Sequence, residues 1–123
     1  MLFDLHRAWG YAAIVANFLA GAYTLSALKW PRLRTRWLWW PTIAAEAMML
    51  IQVFLGVLLV TAQDDKPPRF HMFYGFVSFI SIGLLYSYRY VWRAKGWMEL
   101  AYGLGGLFIM GLGIRAVLQV VAN

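Results

Sequence analysis

The chain has no cysteine, and that absence excludes disulfides, iron–sulfur clusters and thiolate ligation of a metal. Charge is scarce as well. Asp, Glu, Lys and Arg make up 13% of the 123 residues, roughly half of what a soluble domain carries. Acids are rarer than bases, 5 against 11, for a net charge of +6. Histidine occurs only as His6 and His71. No zinc-type cluster and no Cys-His nucleophile can be assembled from such a set, and no glycine-rich phosphate loop precedes a helix. No basic leader with a small-residue cleavage site opens the chain, so a cleaved signal is not expected.

What replaces charge is long apolar sequence. The runs Ala8 to Leu28, Ala47 to Gln63, Phe70 to Tyr88 and Leu100 to Ile114 hold no Asp, Glu, Lys or Arg. A membrane-spanning helix needs about 20 mostly apolar residues, and a spanning backbone must satisfy its own polar groups. The pattern therefore predicts helices near 6–28, 42–63, 70–91 and 97–121. Short connections make neighbours antiparallel. The expected fold is an all-α integral membrane protein, an up-down-up-down four-helix bundle forming one domain over residues 1–123.

The basic residues sit between these runs, which argues against nucleic acid as a partner. Lys29, Arg32, Arg34 and Arg36 crowd the first connection without an acid, and Arg89, Arg93 and Lys95 crowd the third. In the second, Asp64 and Asp65 cancel Lys66 and Arg69. Short cytoplasmic loops are enriched in Lys and Arg. Connections 29–41 and 89–97 are thus expected in the cytoplasm, with loop 63–70 and both termini outside a cell membrane. Trp30, Trp37, Trp39, Trp40, Tyr88, Tyr90, Trp92 and Trp97 gather at the basic boundary as an interfacial aromatic belt. Pro31 and Pro41 bracket the first connection, and Pro67-Pro68 stiffen the second.

The two histidines stand in matched settings: Leu5-His6-Arg7-Ala8-Trp9-Gly10-Tyr11 and Phe70-His71-Met72-Phe73-Tyr74-Gly75-Phe76. Each opens a predicted span, and the first and third spans run parallel, so both imidazoles are expected at one depth near the outer face. Such a pair facing into a bundle points to bis-His ligation of haem b, with His6 and His71 as the metal ligands. His6, Gly10, Ala13, Asn17, Ala20 and Thr24 form one stripe of the first helix; His71, Gly75, Ser78 and Ile82 form one of the third. Gly10 and Gly75, one turn beyond each histidine, are expected to leave room for a porphyrin against the backbone. On the fourth helix, Gly103, Gly106 and Gly113 predict close packing.

Three fragments then stand in order: His6-Arg7-x2-Gly10, Gln52-x3-Gly56-Val57-Leu58 and His71-x3-Gly75. Together they resemble one four-helix half of the haem A synthase family. The resemblance implies paired histidines on a haem near the outer face and adds Gln52 to the cofactor-binding set. The family's full enzymes have eight spans. Their catalytic half carries Glu three residues before the first histidine, where this chain has Phe3. The resemblance thus implies haem binding more than haem A synthesis.

Other polar residues complete the set. Arg7, Arg69 and Arg115 lie on the outer side and are expected near haem propionates, which Arg matches bidentately. Arg115, inside an apolar stretch, is expected to meet a propionate, a partner carboxylate or both, with Gln119 one turn on; Lys66 is a weaker candidate. Glu46 is expected to pair with loop arginines, the alternatives being a proton relay or a quinone contact. Glu99 reads as a charge favourable at a helix N-terminus. Asn17 and Gln52 are expected to hydrogen-bond between helices, and Met72 and Met110 to pack.

The leading expectation is a haem b protein serving electron transport, or a haem-bearing subunit of a respiratory or photosynthetic complex, rather than an enzyme. The alternatives are a cofactor-free structural or assembly subunit and a haem-modifying half-enzyme. Membrane lipids, a larger membrane complex or a second copy, and a quinone are the expected partners.

Overall fold

The computed structural model describes residues 1–121. Four of its helices are long and apolar enough to cross a membrane. They are α1 (Leu2–Lys29), α2 (Trp39–Ala62), α3 (Arg69–Ser87) and α5 (Met98–Val121), with a short α4 (Arg89–Lys95) between the last two. No strand forms among the described residues. Two single 3₁₀ turns, Pro31–Leu33 and Arg36–Leu38, carry the chain from α1 to α2. Pro41 lies inside the first turn of α2, where its missing N–H has no intrahelical role. Pro68 sits at the N-cap of α3.

The third span is shorter than the sequence pattern suggests. A single helix over 70–91 is expected; the structure ends α3 at Ser87 and starts α4 two residues later. Tyr88 takes φ −96° and ψ 9°. Arg89 stabilises the break, because its Nη1 donates to the Tyr86 carbonyl at 2.6 Å and its guanidinium lies 3.7 Å from the centre of the Tyr86 ring. Gly96 closes α4 in the left-handed region at φ 73°, where a Cβ is unfavourable.

Packing follows the small residues. On α1, the buried face is Gly10, Ala13, Asn17, Ala20, Gly21, Thr24 and Ala27. This face meets α2 on one side and α5 on the other. α3 packs on α5 and touches α2 only lightly. The helices therefore form an arc, α2–α1–α5–α3, with an open seam between its two ends.

Different forces hold each joint of the arc. Between α1 and α2, Trp9 Nε1 donates to Met48 O at 2.8 Å, Asn17 Nδ2 to Ala45 O at 3.2 Å, and the Thr24 and Thr42 hydroxyls lie 3.2 Å apart. Between α3 and α5, Tyr102 Oη donates to Leu85 O at 2.9 Å and His71 Nδ1 meets Ala116 O at 2.8 Å. Between α1 and α5 the backbones approach over glycine. A Cβ on Gly106 would lie 3.1 Å from Gly21 Cα and 3.2 Å from Asn17 O, and one on Gly21 would lie 2.9 Å from Gly103 O.

The distribution of side chains is the reverse of a water-soluble bundle. The fully buried set includes Asn17, Thr24 and Ser78, while Phe18, Leu19, Phe54, Phe76, Phe79 and Phe108 are exposed along the middle of the helices. Apolar patches of this extent are not stable against water. They suit hydrocarbon, where association relies on close packing of small residues.

The glycine seam yields a paired test. Gly106→Val is expected to destabilise the bundle by about 1–3 kcal/mol, the usual range for overpacking, because backbone atoms face the new Cβ. Gly111→Ala, where nothing lies within 4 Å of the added carbon, is expected to be neutral or to gain up to about 1 kcal/mol of helix propensity. Unfolding curves in detergent measure both.

Candidate functional site

His6 lies in the second turn of α1 and His71 in the first turn of α3, and the fold brings them together across the bundle. Their ring centres are 6.1 Å apart with the planes at 76°. Both residues are half-buried. α5 anchors His71: its Nδ1 is 2.8 Å from the Ala116 carbonyl. A carbonyl oxygen only accepts, so Nδ1 carries the proton and the neutral ring keeps its lone pair on Nε2. A backbone acceptor on the second ring nitrogen is the arrangement that orients a ligating imidazole.

His6 is held from α2. A Cβ on Gly56 would lie 3.2 Å from His6 Cε1, so the ring sits against the α2 backbone where Gly56 has no side chain. The converse holds one turn away. A Cβ on Gly10 would lie 2.5 Å from Gln52 Nε2. The two His/Gln-x3-Gly segments therefore interlock. Gly10 makes room for Gln52, and Gly56 makes room for His6. This corrects the expectation for Gly10, whose free space is filled by the Gln52 amide. Gly75 differs, with nothing within 4 Å of an added Cβ.

The cluster contains unmet polar capacity. His6 Nδ1 and Gln52 Oε1 are buried and have no hydrogen-bond partner. Buried polar atoms of this kind are rare, and each calls for an explanation such as a bound group. Gln52 does not make the interhelical hydrogen bond expected of its Oε1; Asn17 makes its bond, to Ala45.

The spacing of the two rings bears on whether they could hold a metal together. Two imidazoles bonded to one iron at about 2 Å each have ring centres about 6 Å apart, and the observed 6.1 Å agrees. The open space at Gly75 would suit a flat group beside His71, while His6 Nδ1 lacks the orienting acceptor that His71 has. The space at Gly10 is filled by the Gln52 amide, so it would not hold a flat group.

The arginines separate into two kinds. Arg7 and Arg69 are exposed at the histidine end and form neither an ion pair nor a side-chain hydrogen bond among the described residues. Arg115, also exposed, has its Nη2 3.3 Å from Tyr74 Oη and its guanidinium 5.7 Å from the centre of the Tyr74 ring. A propionate or carboxylate was expected for Arg115; the partner in the chain is a phenol. Arg115 directly precedes Ala116, and Tyr74 lies three residues after His71, so one short stretch of α5 fixes both residues of α3. Lys66 pairs with Asp64 at 3.8 Å. Met72 is exposed.

Glu46 requires a correction as well. It does not pair with loop arginines: Oε2 is buried without a partner. The arginine contact belongs to Glu99, whose Oε1 is 4.0 Å from Arg34 Nε, and Glu99 also lies in the first turn of α5. Among the described residues no group of three or more His, Cys, Asp and Glu side chains could hold a metal ion; a bis-His haem needs only two. Compared with protein-family models, curated proteins and solved structures, the chain finds no match.

The interlock predicts non-additive energetics. Gly10→Ala alone is expected to destabilise, because the Gln52 amide must move. With Gln52→Ala present the same change is expected to be nearly silent. A double-mutant cycle by detergent unfolding should return a coupling of about 0.5–2 kcal/mol.

Proposed function

We propose that the chain is a multi-pass membrane protein that binds haem b through His6 and His71 and serves electron transfer, alone or as a subunit of a larger membrane complex. The observation that carries this reading is the 6.1 Å spacing of the two imidazoles, with His71 oriented by the Ala116 carbonyl at 2.8 Å. Bound between them, an iron porphyrin supplies a one-electron redox couple. The protein's own contribution is placement. His71 is held in one tautomer by α5, and His6 is held edge-on by the glycine step of α2. Arg7, Arg69 and Arg115 offer cationic groups at the same end for propionates. The resemblance to one half of haem A synthases supports the ligand pair, and Phe3, in place of that family's Glu, directs the reading away from haem modification.

Sidedness follows from charge. The end of the bundle bearing Lys29, Arg32, Arg34, Arg36, Arg89, Arg93 and Lys95 is assigned to the cytoplasm. The histidines then lie toward the outer face, with the termini and loop 63–70. A single haem at one side cannot carry electrons across the bilayer by itself. It fits relay along that side, to a quinone or to a partner's cofactor.

A second reading, a cofactor-free structural or assembly subunit, draws on the occupied space at Gly10. An absorption spectrum of the purified protein separates the two. A low-spin b-type spectrum in both redox states is expected, lost in His6→Ala and in His71→Ala. No Soret band in the wild type under haem-replete expression would establish the cofactor-free reading. Topology is accessible because the chain lacks cysteine. Asp65→Cys should react with an impermeant maleimide in intact cells, and Lys95→Cys only after permeabilisation.

A further inference from the structure

The end of the bundle opposite the histidines has its own concave site. A cleft of about 310 Å³ lies between the first connection and the α4–α5 turn, lined by Arg34, Trp39, Arg93, Gly96, Met98 and Glu99. That volume equals roughly ten waters, enough for a phosphate group with part of its alcohol. Two arginines line one cleft with a single acid, Glu99. The carboxylate is already engaged, since Glu99 Oε1 is 4.0 Å from Arg34 Nε.

Arg34 is held in place from behind. Its Nε donates to the Ala27 carbonyl at 3.0 Å, which fixes the plane of the guanidinium and leaves the Nη donors for a ligand. The Arg93 side chain forms no hydrogen bond or ion pair among the described residues. Trp39 forms a wall, locked edge-to-face on Tyr102 with ring centres 5.8 Å apart. Gly96, left-handed at φ 73°, turns the chain at the cleft and adds no side chain. The site sits where α1 and α3–α4 end and α2 and α5 begin, which is headgroup depth for a spanning bundle. Two other cations of the first connection lie on aromatic faces: Lys29 over Trp30 at 5.1 Å and Arg36 over Trp37 at 5.0 Å.

We infer that this cleft binds a phosphate ester, presented by an anionic glycerophospholipid, through Arg34 and Arg93. Arginine pairs match phosphate oxygens bidentately, and basic pockets between spanning helices on the cytoplasmic side are suited to anionic headgroups. The apolar Trp39 and Met98 surfaces suit the glycerol and the start of the acyl chains. The inference stands apart from haem binding, because no residue is shared between the two sites.

The test uses the full chain in nanodiscs of phosphatidylcholine with and without phosphatidylglycerol, and native mass spectrometry of lipid retained on release. The wild type is expected to keep phosphatidylglycerol selectively. Arg93→Gln, which removes no contact within the fold, and Arg34→Gln/Arg93→Gln are expected to lower retention at least fivefold. Lys29→Gln/Arg36→Gln, with the same loss of charge at the same end, should retain it. Equal loss in both double variants would reduce the effect to general charge attraction and overturn the site, as would unchanged retention in Arg93→Gln. Inorganic phosphate at millimolar concentration distinguishes the source. If it raises the unfolding temperature of the wild type and not of Arg93→Gln, free phosphate is a ligand; if only phosphatidylglycerol does so, the lipid is.

Discussion

The close approach of α1 and α5 governs everything else in this bundle. Gly21, Gly103 and Gly106 let two backbones come within reach of a missing Cβ. In hydrocarbon no hydrophobic effect drives helices together, so such a contact depends on dispersion over a flush surface. Once α1 and α5 are fixed against each other, the rest of the arc is fixed by hydrogen bonds. α2 is pinned to α1 through Trp9, Asn17 and Thr24; α3 is pinned to α5 through His71, Arg115 and Tyr102. Each histidine comes from a different pinned pair. The height and separation of the two rings are therefore set by a glycine contact that involves neither.

The same logic explains what lies inside. Large apolar side chains gain little from burial when the surroundings are lipid tails. Small residues gain the most, because they allow contact of backbone on backbone, and polar ones gain because they find partners within the protein. Asn17 does both: it is buried and donates to Ala13 and Ala45 carbonyls. His6, Gln52 and Glu46 are the exceptions, each with a buried nitrogen or oxygen left without a partner.

Much of this was legible in the sequence, and the remainder was hidden for physical reasons. The four spans follow from charge-free runs, and the buried stripe of α1 follows from small residues recurring every three or four positions. Asn17 reads correctly because a mid-span amide has few other options. The break at Ser87 carries no proline or glycine signal, because an arginine side chain makes it after the fact by taking the Tyr86 carbonyl. The interlock of Gly10 with Gln52 and of Gly56 with His6 depends on the register of two helices separated by a loop, which periodicity in either helix does not contain. Arg34 pairs with Glu99 rather than Glu46 because of the path that two 3₁₀ turns give the first connection, and no residue type in that connection announces it.

The light contact between α2 and α3 has a consequence for how the bundle is held. No side-chain hydrogen bond joins these two helices among the described residues. Separating the two pinned pairs there costs fewer contacts than parting the glycine seam, the links between them being Trp39 on Tyr102, Arg34 on Glu99 and the packing of Met49. The least-held boundary of the bundle is thus on its side, between two helices, and not at either end.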